Sequence, residues 1–289
     1  MEINSLKDLI LKNSKPLIPL KVDSSLLPDI QQINFKGIKA VIFDVYGTIL
    51  ISGAGDIGCE VKCVDALYNT FKFFKIKNIS FTKEKLWNIF YDIILNDHQQ
   101  KKEKGILYPE VNILEIWELF LDRISIQLNR KEIQKFTLYY ELAVNPCWPM
   151  PDLIDVLIWL KQKGIRLGII SNAQFYTPLI LETLLGKDLQ SLGFSLDMCV
   201  WSYLEGRAKP DIFLFEKLEK VLDNCSPEEI LYIGNDRLKD IWPAFLRGWK
   251  TILFAGDKRS FRWRGNLKKL ANCRPNGLIL KLSQIKSIL

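Results

Sequence analysis

The short apolar run at 41–43 ends at an aspartate, and this junction limits the possible folds more than any other feature. Residues 39–50 read KAVIFDVYGTIL. A continuous apolar run, unlike an alternating one, is typical of a strand covered on both faces, as in a parallel sheet. The carboxyl ends of such strands are where α/β sheets bind ligands. Asp44 is therefore a candidate functional residue at a sheet edge.

Further short apolar runs alternate with helical stretches in the second half of the chain. We expect strands in IRLGIIS, DMCVW, EEILYIG, TILFA and GLILKL. Helices fit at 151–163, 178–186, 210–223 and 239–247. This alternation is the βαβ pattern of a parallel sheet with helices on both faces. The sequence therefore predicts an α/β fold with a doubly wound, Rossmann-like parallel sheet.

The pattern changes to helical spacing after the first strand. Apolar residues recur three or four positions apart in 61–71, 86–94 and 113–124, which is typical of amphipathic helices. We predict that 52–148 form a helical insertion, with Trp87 and Trp117 in its core. Residues 39–51 and 149–289 then form the α/β core. The proline-containing segment 1–38 is expected to be an extension packed against that core.

The single histidine among 289 residues restricts the site classes that need imidazoles, because only His98 could supply one. Ser-His-Asp and Cys-His nucleophile pairs and His-rich zinc sites are among them. His98 itself lies in the polar stretch NDHQQKKEKG and is interpreted as a solvated loop residue. The six cysteines form no C-x-x-C pattern and are interpreted as reduced core thiols. The spacing of Cys59 and Cys63 is compatible with one helix face, where we interpret them as small buried apolar residues. No membrane-length apolar run or secretory signal is evident, so we expect a cytoplasmic protein.

Polar residues fall at the ends of the predicted strands or in the loops after them. A carboxylate such as Asp44 is suited to nucleophilic attack that forms an aspartyl ester. Lys209 supplies a positive charge that offsets charge in the transition state. Asp236 and Asp240, four apart in GNDRLKD, offer hard oxygen ligands of the kind that Mg²⁺ takes. The residues assigned to substrate binding are Thr48, Ser171 and Asn172.

The set of motifs, in this order, resembles the haloacid dehalogenase-like hydrolase superfamily. The chain reads VIFDVYGT, GIISN, EGRAKPDIF and YIGNDRLKDI where that family has hhhhDxxGT, a strand ending in Ser or Thr, Lys-Pro-Asp and GDxxxD. The match spans about 39–255, with the insertion where the family has a mobile cap. The resemblance implies a nucleophile, a phosphate-binding residue, a charge-stabilising lysine and Mg²⁺ ligands, the last including the main-chain carbonyl of Tyr46. Asp44 is the nucleophile, Ser171 the phosphate-binding residue and Lys209 the charge-stabilising lysine. The predicted Mg²⁺ ligands are Asp44, Asp236, Asp240 and the carbonyl of Tyr46.

Tyr46 stands where phosphatases of this family have a second aspartate that acts as general acid. With an ordinary pKa near ~10, tyrosine is a poor proton donor at neutral pH. Positioned acid catalysis typically contributes about 10²–10⁴-fold, so good leaving groups are favoured. The predicted function is a Mg²⁺-dependent phosphatase that forms an aspartyl intermediate with a small phosphorylated metabolite. Asp56 and His98 are candidates for activating the water in the second step.

Two other functions stay open at this point. The DxYGT form resembles the 2-haloacid dehalogenases of the family, which use no metal. The paired Asp236 and Asp240, and the lack of any arginine before Arg123, argue against that function. Repulsion between close carboxylates also favours a cation. The third hypothesis is a catalytically weakened protein that binds a ligand or a partner.

A basic segment, 256–274, contains seven basic residues and one acid. It follows a predicted strand and so is expected at the same sheet edge as Asp44. We interpret it as recognising a second anionic portion of the substrate, through Arg262 and Arg264. Nucleic acid is a less favoured partner, because the chain carries no nucleic-acid-binding motif.

Overall fold

A six-stranded parallel sheet forms the centre of the protein. The computed structural model describes residues 5–30, 34–55, 62–77 and 79–289. The strands are β1 (Ala40–Phe43), β2 (Leu50–Ser52), β3 (Cys147–Pro149), β4 (Arg166–Ser171), β5 (Phe194–Trp201), β6 (Ile230–Gly234), β7 (Lys250–Phe254) and β8 (Gly277–Ile279). The large sheet has the order β5-β4-β1-β6-β7-β8, and every neighbouring pair is parallel. The α/β fold predicted from the sequence is confirmed.

Helices cover both faces of this sheet and form the insertion. They are α1 (Leu6–Asn13), α2 (Lys62–Phe73), α3 (Lys83–Glu103), α4 (Ile113–Arg123), α5 (Arg130–Val144), α6 (Leu153–Gln162), α7 (Tyr176–Leu185), α8 (Ser202–Glu205), α9 (Phe213–Glu219), α10 (Trp242–Leu246) and α11 (Ile285–Ile288). A π-helical turn, Arg237–Ile241, runs directly into α10. Among the described helices, none combines the length and apolarity that crossing a bilayer requires.

Strand β1 lies in the middle of the sheet and is buried throughout. Val41 and Phe43 pack into the core on one face, and Ala40 and Ile42 into the core on the other. This two-sided burial explains why the strand has no polar alternation. It also places the next residue, Asp44, at the carboxyl edge between the ends of β4 and β6.

Four helices, α2 to α5, lie between β2 and β3, which pair antiparallel. Their apolar faces form a separate core in which Trp117 is only 1% exposed. Helix α5 begins at a capping box formed by Asn129 and Glu132, which satisfies backbone N–H groups of its first turn. In the amino-terminal segment, Leu9 and Ile10 of α1 pack into the main core.

His98 is not in a loop, so that interpretation was wrong. It lies inside α3, which continues through the polar stretch to Glu103. An ion pair between Lys101 and Asp97, 2.7 Å apart at i,i+4 spacing, supports the helix there. Partial burial lowers the pKa of His98 below its ordinary value.

The described cysteines are free thiols, and Cys147 and Cys273 are buried. Cys59 and the side chain of Cys63 lie outside the described residues, as does Asp56. The expectations for these three positions therefore stay predictions.

Candidate active site

The ends of β1, β4 and β6 bring the candidate residues to one edge of the sheet. These strands are neighbours, so Asp44, Ser171 and Asn235 follow or end adjacent strands. Lys209 reaches the same place from the loop after α8. Asp240 arrives on the π-helical turn that follows β6.

Lys209 joins two carboxylates at the bottom of the site. Its Nζ lies 2.6 Å from Oδ1 of Asp44 and 2.5 Å from Oδ1 of Asp240. It also donates to the hydroxyl of Tyr232 at 3.1 Å. Burial by itself would lower the pKa of Lys209, but Asp240 and Asp44 outweigh it and raise that pKa above its ordinary value. Lys209 is therefore protonated and forms ion pairs with both carboxylates.

Asn172 fixes the backbone that carries this lysine. Its Oδ1 accepts from the main-chain N–H of Lys209 at 2.6 Å, and its Nδ2 donates to the main-chain carbonyl at 3.3 Å. Ser171 is fully buried, and its hydroxyl donates to the carbonyl of Asn172. Contact of either side chain with a substrate stays a prediction.

A tight turn follows the candidate nucleophile and depends on glycine. Gly47 has a φ of +86°, and a Cβ there would lie 2.3 Å from the Cβ of Ser260 and 2.8 Å from Nδ2 of Asn235. Both the backbone angle and the crowding disfavour larger residues. Thr48, at the end of the turn, places its hydroxyl 3.3 Å from Oδ2 of Asp44 and 3.1 Å from Oδ1 of Asn235.

Asn235 is a site residue that the sequence analysis missed. It directly follows β6, just as Asp44 directly follows the neighbouring β1, and this equivalent position was the available signal. Its Nδ2 donates to the carbonyl of Ser260 at 2.6 Å. The amide thus links the nucleophile turn to the basic segment.

Both carboxylate oxygens of Asp236 accept hydrogen bonds from other groups of the protein. Its Oδ1 caps the π-helical turn by accepting from the N–H groups of Leu238 and Lys239. Arg264 donates from Nε to Oδ1 at 2.8 Å and from Nη2 to Oδ2 at 2.5 Å. Lys209 and Arg264 therefore compensate Asp240 and Asp236. Their proximity therefore does not by itself require a metal ion.

The donor chemistry at this edge nevertheless fits Mg²⁺. Asp44, Asp236 and Asp240 all line one cavity, and carboxylate, amide and carbonyl oxygens are the ligands that Mg²⁺ prefers. Within the described part of the chain, no group of three or more His, Cys, Asp or Glu is gathered closely enough to hold an ion. The residues best suited are Asp44, Asp240 and the main-chain carbonyl of Tyr46, and Asp236 becomes available only when it leaves Arg264.

The hydroxyl of Tyr46 is bonded to another side chain and is poorly suited to acid–base catalysis. Its hydroxyl forms a hydrogen bond of 2.9 Å with Oγ1 of Thr177 on α7. Burial, reinforced by Cys147 and Glu141, raises the pKa of Tyr46 well above its ordinary value. The phenol therefore holds its proton at neutral pH.

A cavity of about 530 Å³ extends from this edge into the helical insertion. At the sheet edge its wall includes Asp44, Asn172 and Lys209, and Arg262 of the basic segment also lines it. His98 lies in the wall contributed by α3.

The chain matches the model of a known protein family. The family model described as haloacid dehalogenase-like hydrolase matches residues 38–244. The chain therefore belongs to the haloacid dehalogenase-like hydrolases, as its motifs predicted.

Two curated relatives are each 33% identical to the chain over their matched segments. One is "Glyceraldehyde 3-phosphate phosphatase" of Methanothermobacter thermautotrophicus, matched over 155 residues, or 52% of this chain and 63% of that protein. The other is "Rhythmically expressed gene 2 protein" of Drosophila melanogaster, matched over 112 residues, or 38% of this chain and 41% of that protein. The chain thus spans less than two thirds of either relative.

Two solved structures are similar in fold at 20% identity. A 2-haloacid dehalogenase from Pseudomonas syringae pv. Tomato aligns with a TM-score of 0.59, and a HAD phosphatase from Thermococcus onnurineus with 0.54. Each alignment covers 87% of this chain and 97% of the other. Proteins named for both chemistries therefore share this fold, and the chemistry has to be argued from the site.

Proposed function

We propose that this hydrolase is a Mg²⁺-dependent phosphatase acting on a small phosphorylated metabolite with a good leaving group. The observation that carries the proposal is the buried bridge from Lys209 to Asp44, at 2.6 Å, on the floor of the cavity. A carboxylate held by a fixed cation is suited to attack an anionic phosphoryl group, because the cation offsets the negative charge. The name of the phosphatase relative supports the same class of substrate.

In the proposed reaction, Oδ2 of Asp44 attacks phosphorus while Oδ1 stays on Lys209. An oxygen–phosphorus bond forms to Asp44, the bond from phosphorus to the ester oxygen breaks, and the leaving group departs with that electron pair. Water then attacks phosphorus, the bond from phosphorus to Oδ2 of Asp44 breaks with its electron pair returning to the carboxylate, and the proton of the water leaves on the phosphate product or to solvent. Mg²⁺, held by Asp44, Asp240 and the carbonyl of Tyr46, would supply Lewis-acid stabilisation of the phosphoryl oxygens.

The preference for a good leaving group rests on Tyr46. Its hydroxyl is bonded to Thr177, and burial raises its pKa, so it is not disposed to protonate a departing oxygen. A leaving group that is stable as an anion needs no such proton. We also propose that 52–148 act as a cap, since α3, α4 and α5 all line the cavity.

Dehalogenation is the second candidate. The specific observation in its favour is that Lys209 and Arg264 compensate Asp240 and Asp236 without a metal ion. In that reaction Asp44 would displace halide from carbon, and no leaving oxygen would need a proton.

The test measures release of phosphate and of halide from a mixed substrate panel, with Mg²⁺ and with chelator. Asp44→Asn is compared with Asp223→Asn, the same change at an exposed position. Phosphate release that needs both Mg²⁺ and Asp44 is expected. Halide release indifferent to chelator would establish the dehalogenase instead. Release of neither phosphate nor halide would favour a ligand-binding protein.

A further inference from the structure

The half of the cavity formed by the insertion is built mainly from apolar and aromatic side chains. We call this half the aromatic chamber, and the half that the α/β core lines with Asp44 and Lys209 the polar floor. Its wall is formed by Trp87, Phe90 and Ile94 of α3, Trp117 of α4, and Tyr140 and Val144 of α5.

The rings of the chamber are packed against one another. Phe90 and Trp117 have centroids 4.3 Å apart, and Trp117 and Tyr140 have centroids 5.0 Å apart. Both contacts are tilted or edge-to-face, as favourable aromatic pairs are. Phe90, Trp117 and Tyr140 are 4%, 1% and 8% exposed. Packing therefore fixes these three rings before a ligand binds, and the more accessible apolar side chains of the wall are Trp87 and Ile94, which are half-buried.

Charge in the chamber argues against a second anionic group there. The acidic residues that line it are Glu110 and Glu141. Glu110 accepts from the hydroxyl of Ser202 at 2.7 Å, and Glu141 accepts from the hydroxyl of Tyr176 at 2.9 Å. The cations Lys209, Lys239 and Arg262 line the cavity from the α/β core instead. A phosphate is favoured at the polar floor and a neutral group in the aromatic chamber.

The size of the cavity agrees with this division. A volume of about 530 Å³ lies within the roughly 300–1,000 Å³ of pockets that hold drug-sized ligands. A three-carbon phosphate ester would leave most of the aromatic chamber without apolar contacts. Burying apolar rings there would gain binding free energy in proportion to the area removed from water.

We propose that the substrate is an aryl phosphate whose ring system, about the size of naphthalene, occupies the aromatic chamber while its phosphate lies beside Asp44, at the carboxylate oxygen that Lys209 does not bind. This inference rests on the proposed phosphatase function and names its substrate class. The aryl–oxygen group leaves phosphorus as a phenolate, so its electron pair needs no proton from Tyr46. The hydroxyl of Tyr46 is bonded to Thr177, so both this bond and the aromatic wall favour the same class of substrate.

The test compares 2-naphthyl phosphate with phenyl phosphate, whose leaving groups have closely similar acidity. The parent protein is expected to show a kcat/KM at least about tenfold higher for the naphthyl ester, since the second ring buries further apolar area. Ile94→Trp, which fills the chamber, should remove that preference. Leu95→Trp is the matched control, because Leu95 is the next residue of α3 and is 46% exposed. It should change neither ester.

The possible failures are distinguishable. Equal kcat/KM for the two esters in the parent protein would overturn the aryl substrate and leave the phosphatase standing, and this comparison needs no variant. No phosphate release from either ester would overturn the phosphatase. Calorimetric titration with 2-naphthylphosphonate would then test the chamber separately. Binding that Ile94→Trp weakens and Leu95→Trp retains would support the chamber, and no binding to the parent would overturn it.

Discussion

Arg264 donates two hydrogen bonds to Asp236, one to each carboxylate oxygen, at 2.8 and 2.5 Å. The pair is largely buried, with side-chain exposures of 25% and 6%. Backbone hydrogen bonds hold the two segments together. The N–H of Arg262 donates to the carbonyl of Asn235, and the carbonyl of Arg262 accepts from the N–H of Arg237. The basic segment thus packs onto the end of β6 and pairs with a carboxylate that the sequence predicts as a Mg²⁺ ligand.

Arg264→Gln is therefore expected to tighten Mg²⁺ binding by about tenfold, the equivalent of ~1.4 kcal/mol from a forked, charge-assisted pair. Isothermal titration with Mg²⁺ measures the change directly. Lys258→Gln is the control, since it removes the same charge at an exposed position of the same segment. Unchanged or weaker binding in Arg264→Gln would show that Asp236 is not a metal ligand.

Tyr46→Phe should leave phosphate release within about threefold of the parent, because the lost hydroxyl bonds to Thr177 and not to the reacting groups. Stability should fall by about 1 kcal/mol, the usual contribution of one hydrogen bond. Steady-state kinetics and urea unfolding of the same samples measure both effects. A loss of activity far beyond threefold would give the phenol a direct role.

Tyr46→Asp addresses the missing acid. A carboxyl at this position should raise hydrolysis of alkyl phosphates more than that of aryl phosphates, because only the poorer leaving group benefits from a proton. The ratio of the two rates in variant and parent is the measurement. An unchanged ratio would mean that leaving-group protonation is handled elsewhere.

Gly47→Ala separates backbone strain from crowding. Gly47 and Gly105 have nearly equal φ angles of +86° and +85°, but a Cβ at 47 meets Ser260 and Asn235 whereas one at 105 meets nothing within 4 Å. Gly105→Ala should therefore cost about 1 kcal/mol, the penalty of the left-handed backbone. Gly47→Ala should cost clearly more and also impair activity. Equal free energies of unfolding for the two variants would contradict the crowding.

The sequence predicted those parts of the fold and site that follow from strand position. Parallel strands end at one edge, so Asp44 was placed there by its strand alone. The GNDRLKD spacing likewise brought Asp240 to the same edge. Strand β1 is buried between two cores, and this is the physical reason why its continuous apolar run indicated a strand of a parallel sheet.

Contacts between distant loops left no such signal. The pairing of Arg264 with Asp236 depends on how the basic segment packs on β6, and the bond from Tyr46 to Thr177 joins residues 131 apart. His98 was misjudged because a polar sequence resembles a loop, while an ion pair within the turn sustains the helix. Side-chain partners of this kind are set by tertiary packing and not by local pattern.

Glu141 makes stability depend on pH in a predictable direction. Burial raises the pKa of this carboxyl above its ordinary value, although Tyr176 and Asn145 donate to it. The folded state thus holds the proton more tightly than the unfolded state, so the stabilisation is full below the ordinary pKa of ~4.3 and is lost as pH rises through the folded value. Urea unfolding at pH 5 and pH 8 should show the parent losing stability relative to Glu141→Gln at the higher pH. Glu228→Gln, at an exposed position, should show no such change, and a flat difference for Glu141→Gln would refute the linkage.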